Sequence, residues 1–106
     1  MCINSLLRPF IDSEIDITIP LDGVYGLYDG SEVIYFGKVD GIGGIRGCLK
    51  RHKGGYEGEC TQRATHFNYE VCSNPSRRET ELLAEHLRLF WKLPRCNSSV
   101  PHHIDS

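Results

Sequence analysis

Residues 23–37 read GVYGLYDGSEVIYFG. VYGLY (24–28) and EVIYFG (32–37) are rich in β-branched and aromatic residues, which favour strands. Asp29-Gly30-Ser31 between them is a strong turn signal, so the stretch predicts an antiparallel hairpin. Two tyrosine-centred triplets, GVY and YFG, lie ten residues apart, tyrosine to tyrosine. Side chains alternate between faces along a strand, so Tyr25 and Tyr28 must point to opposite sides of the sheet. At most one of them joins a site on a given face.

Downstream, DGIGG (40–44) predicts a flexible loop. IRGCLKRH (45–52) predicts a short helix with Ile45, Cys48 and Leu49 on one side, weakened by about 1 kcal/mol at Gly47 relative to alanine. Residues 53–65 read as a long irregular connection. HFNYEVC (66–72) alternates Phe67, Tyr69 and Val71 against Asn68 and Glu70, the pattern of a third strand. NPS (74–76) stops it. Ser76 and Glu79 have capping-box spacing. Leu82, Leu83, His86, Leu87, Phe90 and Trp91 then form an apolar stripe at helical spacing, which Leu93-Pro94 ends.

Upstream, IDITI (15–19) alternates as an edge strand would, with Ile15, Ile17 and Ile19 inward and Pro20 at its end. The expected fold class is α+β: a small three-stranded, mainly antiparallel sheet flanked by helices, in the order β-β-α-β-α, with an extra N-terminal edge strand. One domain over residues 1–106 is expected, with 1–14 and 98–106 as loose tails.

The 106 residues carry a net charge of −2, which argues against a generic nucleic-acid binder. The charge is uneven. Residues 1–32 hold six acids and one base, Arg8. RGCLKRHK (46–53) holds Arg46, Lys50, Arg51, His52 and Lys53 and no acid. Screening confines each patch to roughly 8 Å at physiological salt, so a local basic face can coexist with an acidic total. Five cysteines, an odd number with no CxxC pair, predict reduced thiols, neither a disulfide framework nor a zinc site, and a cytoplasmic location. There is no apolar run long enough to span a membrane.

Glu81, Glu85, Arg88 and Lys92 step by four, three and four along the last predicted helix. They form an exposed ion-pair face, or supply a carboxylate for one hard cation, which magnesium accepts through only one or two carboxylates. Tyr25, Tyr28 and Tyr35, taken singly, are ordinary strand tyrosines with wet hydroxyls. His66 and His86 read as structural. His102-His103 is a weak metal pair on the tail.

Taken together the pattern resembles the GIY-YIG nuclease family. GVY (23–25) is similar to the first triplet, and YFG (35–37) to the second, with phenylalanine in place of an aliphatic. Lys38 follows as a lysine often does. Arg46 opens a short basic helix, ELLAEH (81–86) resembles the acidic helix, and LPRCN (93–97) resembles the closing segment ending in asparagine. The likeness covers about three-quarters of the chain, from Pro20 to Asn97.

It implies divalent-metal-dependent hydrolysis of DNA phosphodiesters, with RNA left open. Tyr25 would take a proton from the attacking water and Tyr35 would position it. Arg46 would neutralise phosphate charge, with Arg51 as alternate. Glu85 would bind Mg2+ or Mn2+, preferred to Glu81 and Glu79 because it lies twelve residues before Asn97. Asn97 would brace the helix end. Lys38, Lys50, Arg51, His52 and Lys53 would contact nucleic acid, His52 being either a second base or an exposed surface group. Target choice would come from DNA shape, from the loop at 53–65, from a homodimer or from a partner protein. The alternative is a non-cleaving nucleic-acid-binding or protein-interaction module on the same fold.

Overall fold

The computed structural model describes Ile3 and residues 5–97; the histidine pair at 102–103 and Cys2 lie outside them. The elements are β1 (Arg8–Pro9), α1 (Asp12–Asp16), β2 (Gly23–Asp29), β3 (Glu32–Val39), α2 (Gly44–Lys53), α3 (Glu59–Gln62), β4 (His66–Val71) and α4 (Pro75–Phe90). The four strands form one antiparallel sheet in the order β1-β4-β2-β3. The fold is α+β, as expected, with four strands where three were expected.

The extra edge strand is not at 15–19. It is Arg8–Pro9, paired with Phe67 and His66. Residues 12–16 are helical instead, and this turns Ile15 into the core while Ile17 is left 71% exposed. The alternation of IDITI was misleading because one apolar residue per helical turn also fits it. Thr18 closes the turn by donating its hydroxyl to the Glu14 carbonyl at 3.0 Å. The connection expected to be irregular contains the short helix α3.

The hairpin forms as predicted, with Gly30 at φ 64° in its two-residue turn. The register shifts between Leu27 and Tyr28, so Leu27 faces Tyr35 and Tyr28 faces Val33. β2 is central and buried on both sides. One sheet face carries Tyr25, Leu27 and Phe67 and packs on Ile45 and Leu49 of α2. The other carries Val24 and Phe36 and packs on Leu82 of α4. The glycine loop is needed where α2 begins. Gly43 and Gly44 have φ of 89° and 57°, and a Cβ on Gly44 would run into the backbone of Pro20.

α4 starts two residues earlier than the capping-box spacing suggested. Asn74 caps it, accepting from Arg77 N at 3.3 Å, with Pro75 in the first turn. The Ser76 hydroxyl instead accepts from Lys38 Nζ at 3.0 Å. The apolar stripe is only half buried: Leu82 and His86 are inside, whereas Leu87, Phe90 and Trp91 are exposed.

The expectation that all cysteines are reduced is overturned. Cys60 and Cys96 form a disulfide, while Cys48 and Cys72 are free thiols. Thirty-six residues separate the paired cysteines, so no local motif announces the bridge. It joins α3 to the C-terminal turn, which itself lies along β3: Cys96 N donates to Ile34 O at 2.8 Å.

Candidate active site

Tyr25 and Tyr35 share a sheet face, because Tyr35 pairs across from Leu27, two residues on from Tyr25. Their ring centroids are 6.1 Å apart. Tyr28 is on the opposite face, as parity requires. It lines an apolar recess of about 540 Å³ with Phe36, His86 and Phe90, away from the tyrosine pair. Tyr25 pairs with Gly37, and a Cβ there would collide with the Tyr25 phenol and come within 2.8 Å of the Tyr35 ring. The glycine of YFG is therefore the space that the Tyr25 ring fills. Gly37→Ala is expected to destabilise the protein by about 1–3 kcal/mol through overpacking and to displace Tyr25; a lowered urea midpoint with altered near-UV tyrosine dichroism checks it.

The third member is His52, on the buried face of α2. Its Nε2 lies 2.8 Å from the Tyr25 hydroxyl and its Nδ1 lies 2.8 Å from Thr61 Oγ1. Both ring nitrogens are thus engaged inside the protein, and His52 is 3% exposed. It is neither a surface histidine nor a direct phosphate contact. Burial lowers its pKa to about 4, with the Arg51 charge acting in the same direction and Glu57 opposing, so it is neutral at physiological pH. Cys48, one helical turn before His52, shares a side-chain hydrogen bond with Tyr25. Burial pushes the Tyr25 phenol well above its ordinary value and that of Tyr35 to about 12. Neither is a phenolate near neutral pH.

The other expected residues divide clearly. Arg51 lies beside this cluster, where its charge acts on Cys48 and His52, and it holds Glu57 through Nε at 2.9 Å and a second nitrogen at 2.6 Å. Arg46 does not join it. Its Nε donates to the Thr18 carbonyl at 2.8 Å, tying α2 to the end of α1. Lys50 pairs with Asp16 at 3.2 Å, and Lys53 sits over the Phe10 ring at 5.4 Å. Asn97 grips the sheet edge, accepting from Phe36 N at 2.8 Å and donating to Phe36 O at 3.0 Å. Its partner is β3, not the end of α4.

Glu85, the expected metal ligand, is not brought to the tyrosines. It pairs with Arg88 at 2.8 Å, which lowers its pKa, and it lines a shallow recess with Glu81, Ala84 and Arg88. Glu81 is held by Arg77 and Arg78. The carboxylate whose charge acts on Tyr35 is Glu79, with Glu57 second. Six residues separate Glu79 from Glu85, which puts them about 120° apart around the helix. Glu79 is partly buried near Lys38, and burial raises its pKa. Among the described residues no group of three or more His, Cys, Asp or Glu side chains is placed to hold a metal.

Thr61, Cys48 and Glu57 were not singled out from the sequence. Cys48 and His52 are four apart on one helix, a spacing that signals a shared face. Nothing local signals Thr61, whose hydroxyl meets His52 only because α3 folds back on α2. His86 and His66 have the structural contacts expected of them: His86 Nδ1 donates to Lys92 O at 2.7 Å, and His66 Nδ1 lies 2.8 Å from Thr65 Oγ1. No family model matches the chain, and no curated protein matches it. No helix among the described residues is long and apolar enough to cross a membrane.

Proposed function

We propose that the protein is a divalent-metal-dependent nuclease of the GIY-YIG kind, hydrolysing phosphodiesters of DNA, and that Glu79 takes the role first expected of Glu85. One observation carries this reading. Two tyrosines from the hairpin and a neutral histidine from α2 meet on one face of the sheet, and the charge of a half-buried carboxylate from α4, Glu79, reaches Tyr35. Burial raises the Glu79 carboxyl, and only Lys38 opposes that rise. A cation that keeps most of its waters fits one such carboxylate. When bound, Mg2+ or Mn2+ would supply charge stabilisation for the phosphate oxygens.

The chain's own residues supply orientation and a proton path. The high pKa of Tyr25 excludes a standing phenolate as base. Its hydroxyl can accept a proton from the attacking water while passing its own to His52 Nε2, leaving an imidazolium whose Nδ1–H donates to Thr61. Tyr35, partly exposed, orients the water or a phosphate oxygen. Arg51 takes the guanidinium role in place of Arg46, since its exposed pair with Glu57 is weak and can be exchanged for phosphate.

The second reading, a non-cleaving nucleic-acid or protein-interaction module, is favoured by one set of contacts. Lys38, Arg46, Lys50 and Arg51 all have partners within the protein. The expected cytoplasmic location rested in part on reduced cysteines; the Cys60–Cys96 bridge removes that part of its support, since such bridges persist in oxidising compartments.

Supercoiled plasmid, single-stranded and branched DNA, and single-stranded RNA, with Mg2+, Mn2+ or chelator, decide between the two. Metal-dependent nicking that falls more than tenfold in Glu79→Gln and less than twofold in Glu85→Gln is the expected result. Mobility shifts without cutting on every substrate would favour the module.

A further inference from the structure

We propose that α4 is a self-association surface, on which a second copy of this chain packs its own α4 antiparallel. The proposal does not depend on the nuclease reading. Thr80, Ala84, Leu87 and Trp91 recur at steps of four, three and four, so they form one stripe on the side of α4 away from buried Leu82. All four are exposed. Leu87 is 48% and Trp91 90% exposed, one turn apart on this stripe. A contiguous apolar patch of this kind marks an interaction site more often than an idle surface.

The charges beside the stripe select the occupant. Glu81 and Arg88 are seven residues apart, on the same flank. Parallel packing would set Glu81 against the partner's Glu81. A two-fold axis near Ala84–Glu85 instead sets Glu81 against the partner's Arg88, and repeats the pair symmetrically. It also places Ala84 near the partner's Leu87 and Thr80 near the partner's Trp91. The small Ala84 at the crossing lets the helices approach closely. This is the self-complementarity that a two-fold interface requires. Within one copy Glu81 pairs with Arg77 at 3.5 Å and Arg78 at 3.3 Å, and Arg88 with Glu85 at 2.8 Å; Glu81 and Arg88 are themselves 44% and 66% exposed. Association would exchange these surface pairs for interchain ones.

Sedimentation equilibrium of the full chain tests this, with circular dichroism confirming that each variant is folded. A dimer is expected, with its dissociation constant weakened at least about tenfold by Leu87→Glu or Trp91→Ala. Glu81→Arg and Arg88→Glu should each weaken it, and the two together should restore it, because the interchain pairs re-form with reversed sign. A monomer at about 100 μM, a dimer indifferent to Leu87 and Trp91, or a double reversal no tighter than the singles would overturn the proposal.

Discussion

Cys96→Ser will lower the stability of the fold by about 3–4 kcal/mol, and reduction of the wild-type protein will do the same. The Cys60–Cys96 bridge closes a long loop, its ends at a sequence separation of 36, and cross-linking a loop of that length removes about this much conformational freedom from the unfolded chain. The bridge also joins two otherwise weak pieces. α3 is only four residues long and carries Thr61, the partner of His52. The C-terminal turn holds β3 through Cys96 N and Asn97. Urea unfolding with and without dithiothreitol measures the loss. Cys60→Ser and Cys96→Ser should unfold at the reduced midpoint and ignore the reductant. An unchanged wild-type midpoint in dithiothreitol would mean that the folded protein gains nothing from the bridge.

The second large effect is acid sensitivity from His52. An unfolded histidine takes up its proton near pH 6.5. Folded His52 resists until about pH 4, chiefly because burial penalises the charged ring. Between these values the unfolded chain binds a proton that the folded chain does not, so falling pH favours unfolding. The contribution is absent above pH 6.5, grows as pH falls, and is complete near pH 4, at about 3 kcal/mol. Glu57 draws the pKa up and Arg51 pushes it down, both more weakly than burial. Glu79, whose folded pKa is raised, works in the opposite sense and gains stability as pH falls through its titration. Stability measured from pH 7.5 to 4 should therefore decline in wild type. His52→Gln, which keeps polar contacts to Tyr25 and Thr61 but cannot titrate, should be nearly flat over pH 6.5–4. A wild-type curve as flat as the variant's would show that His52 is not held neutral.

Much of the architecture was legible because it is local. The turn at Asp29-Gly30-Ser31, the alternation of 66–72 and the apolar spacing of α4 each state their element within a few residues. The face shared by Tyr25 and Tyr35 is different: it depends on the register shift between Leu27 and Tyr28. Errors arose where two local patterns coincide. IDITI satisfies strand alternation and a single helical turn alike, and packing of Ile15 into the core chose the helix. Ser76-Arg77-Arg78-Glu79 matches a capping box, but Asn74-Pro75 offers a cap two residues earlier, which freed Ser76 for Lys38 and Glu79 for the side of β3.

What the residues determined unaided is the α+β class, the hairpin and the long C-terminal helix, since each follows from backbone preference and side-chain period over a short window. The tertiary structure alone decided the partners. It set Glu79, not Glu85, where its charge reaches Tyr35 and Arg51, not Arg46, where its charge reaches His52, buried His52 between Tyr25 and Thr61, and joined Cys60 to Cys96. Those choices depend on the rotation of each helix about its axis and on loops closing across dozens of residues. Sequence spacing carries no record of either.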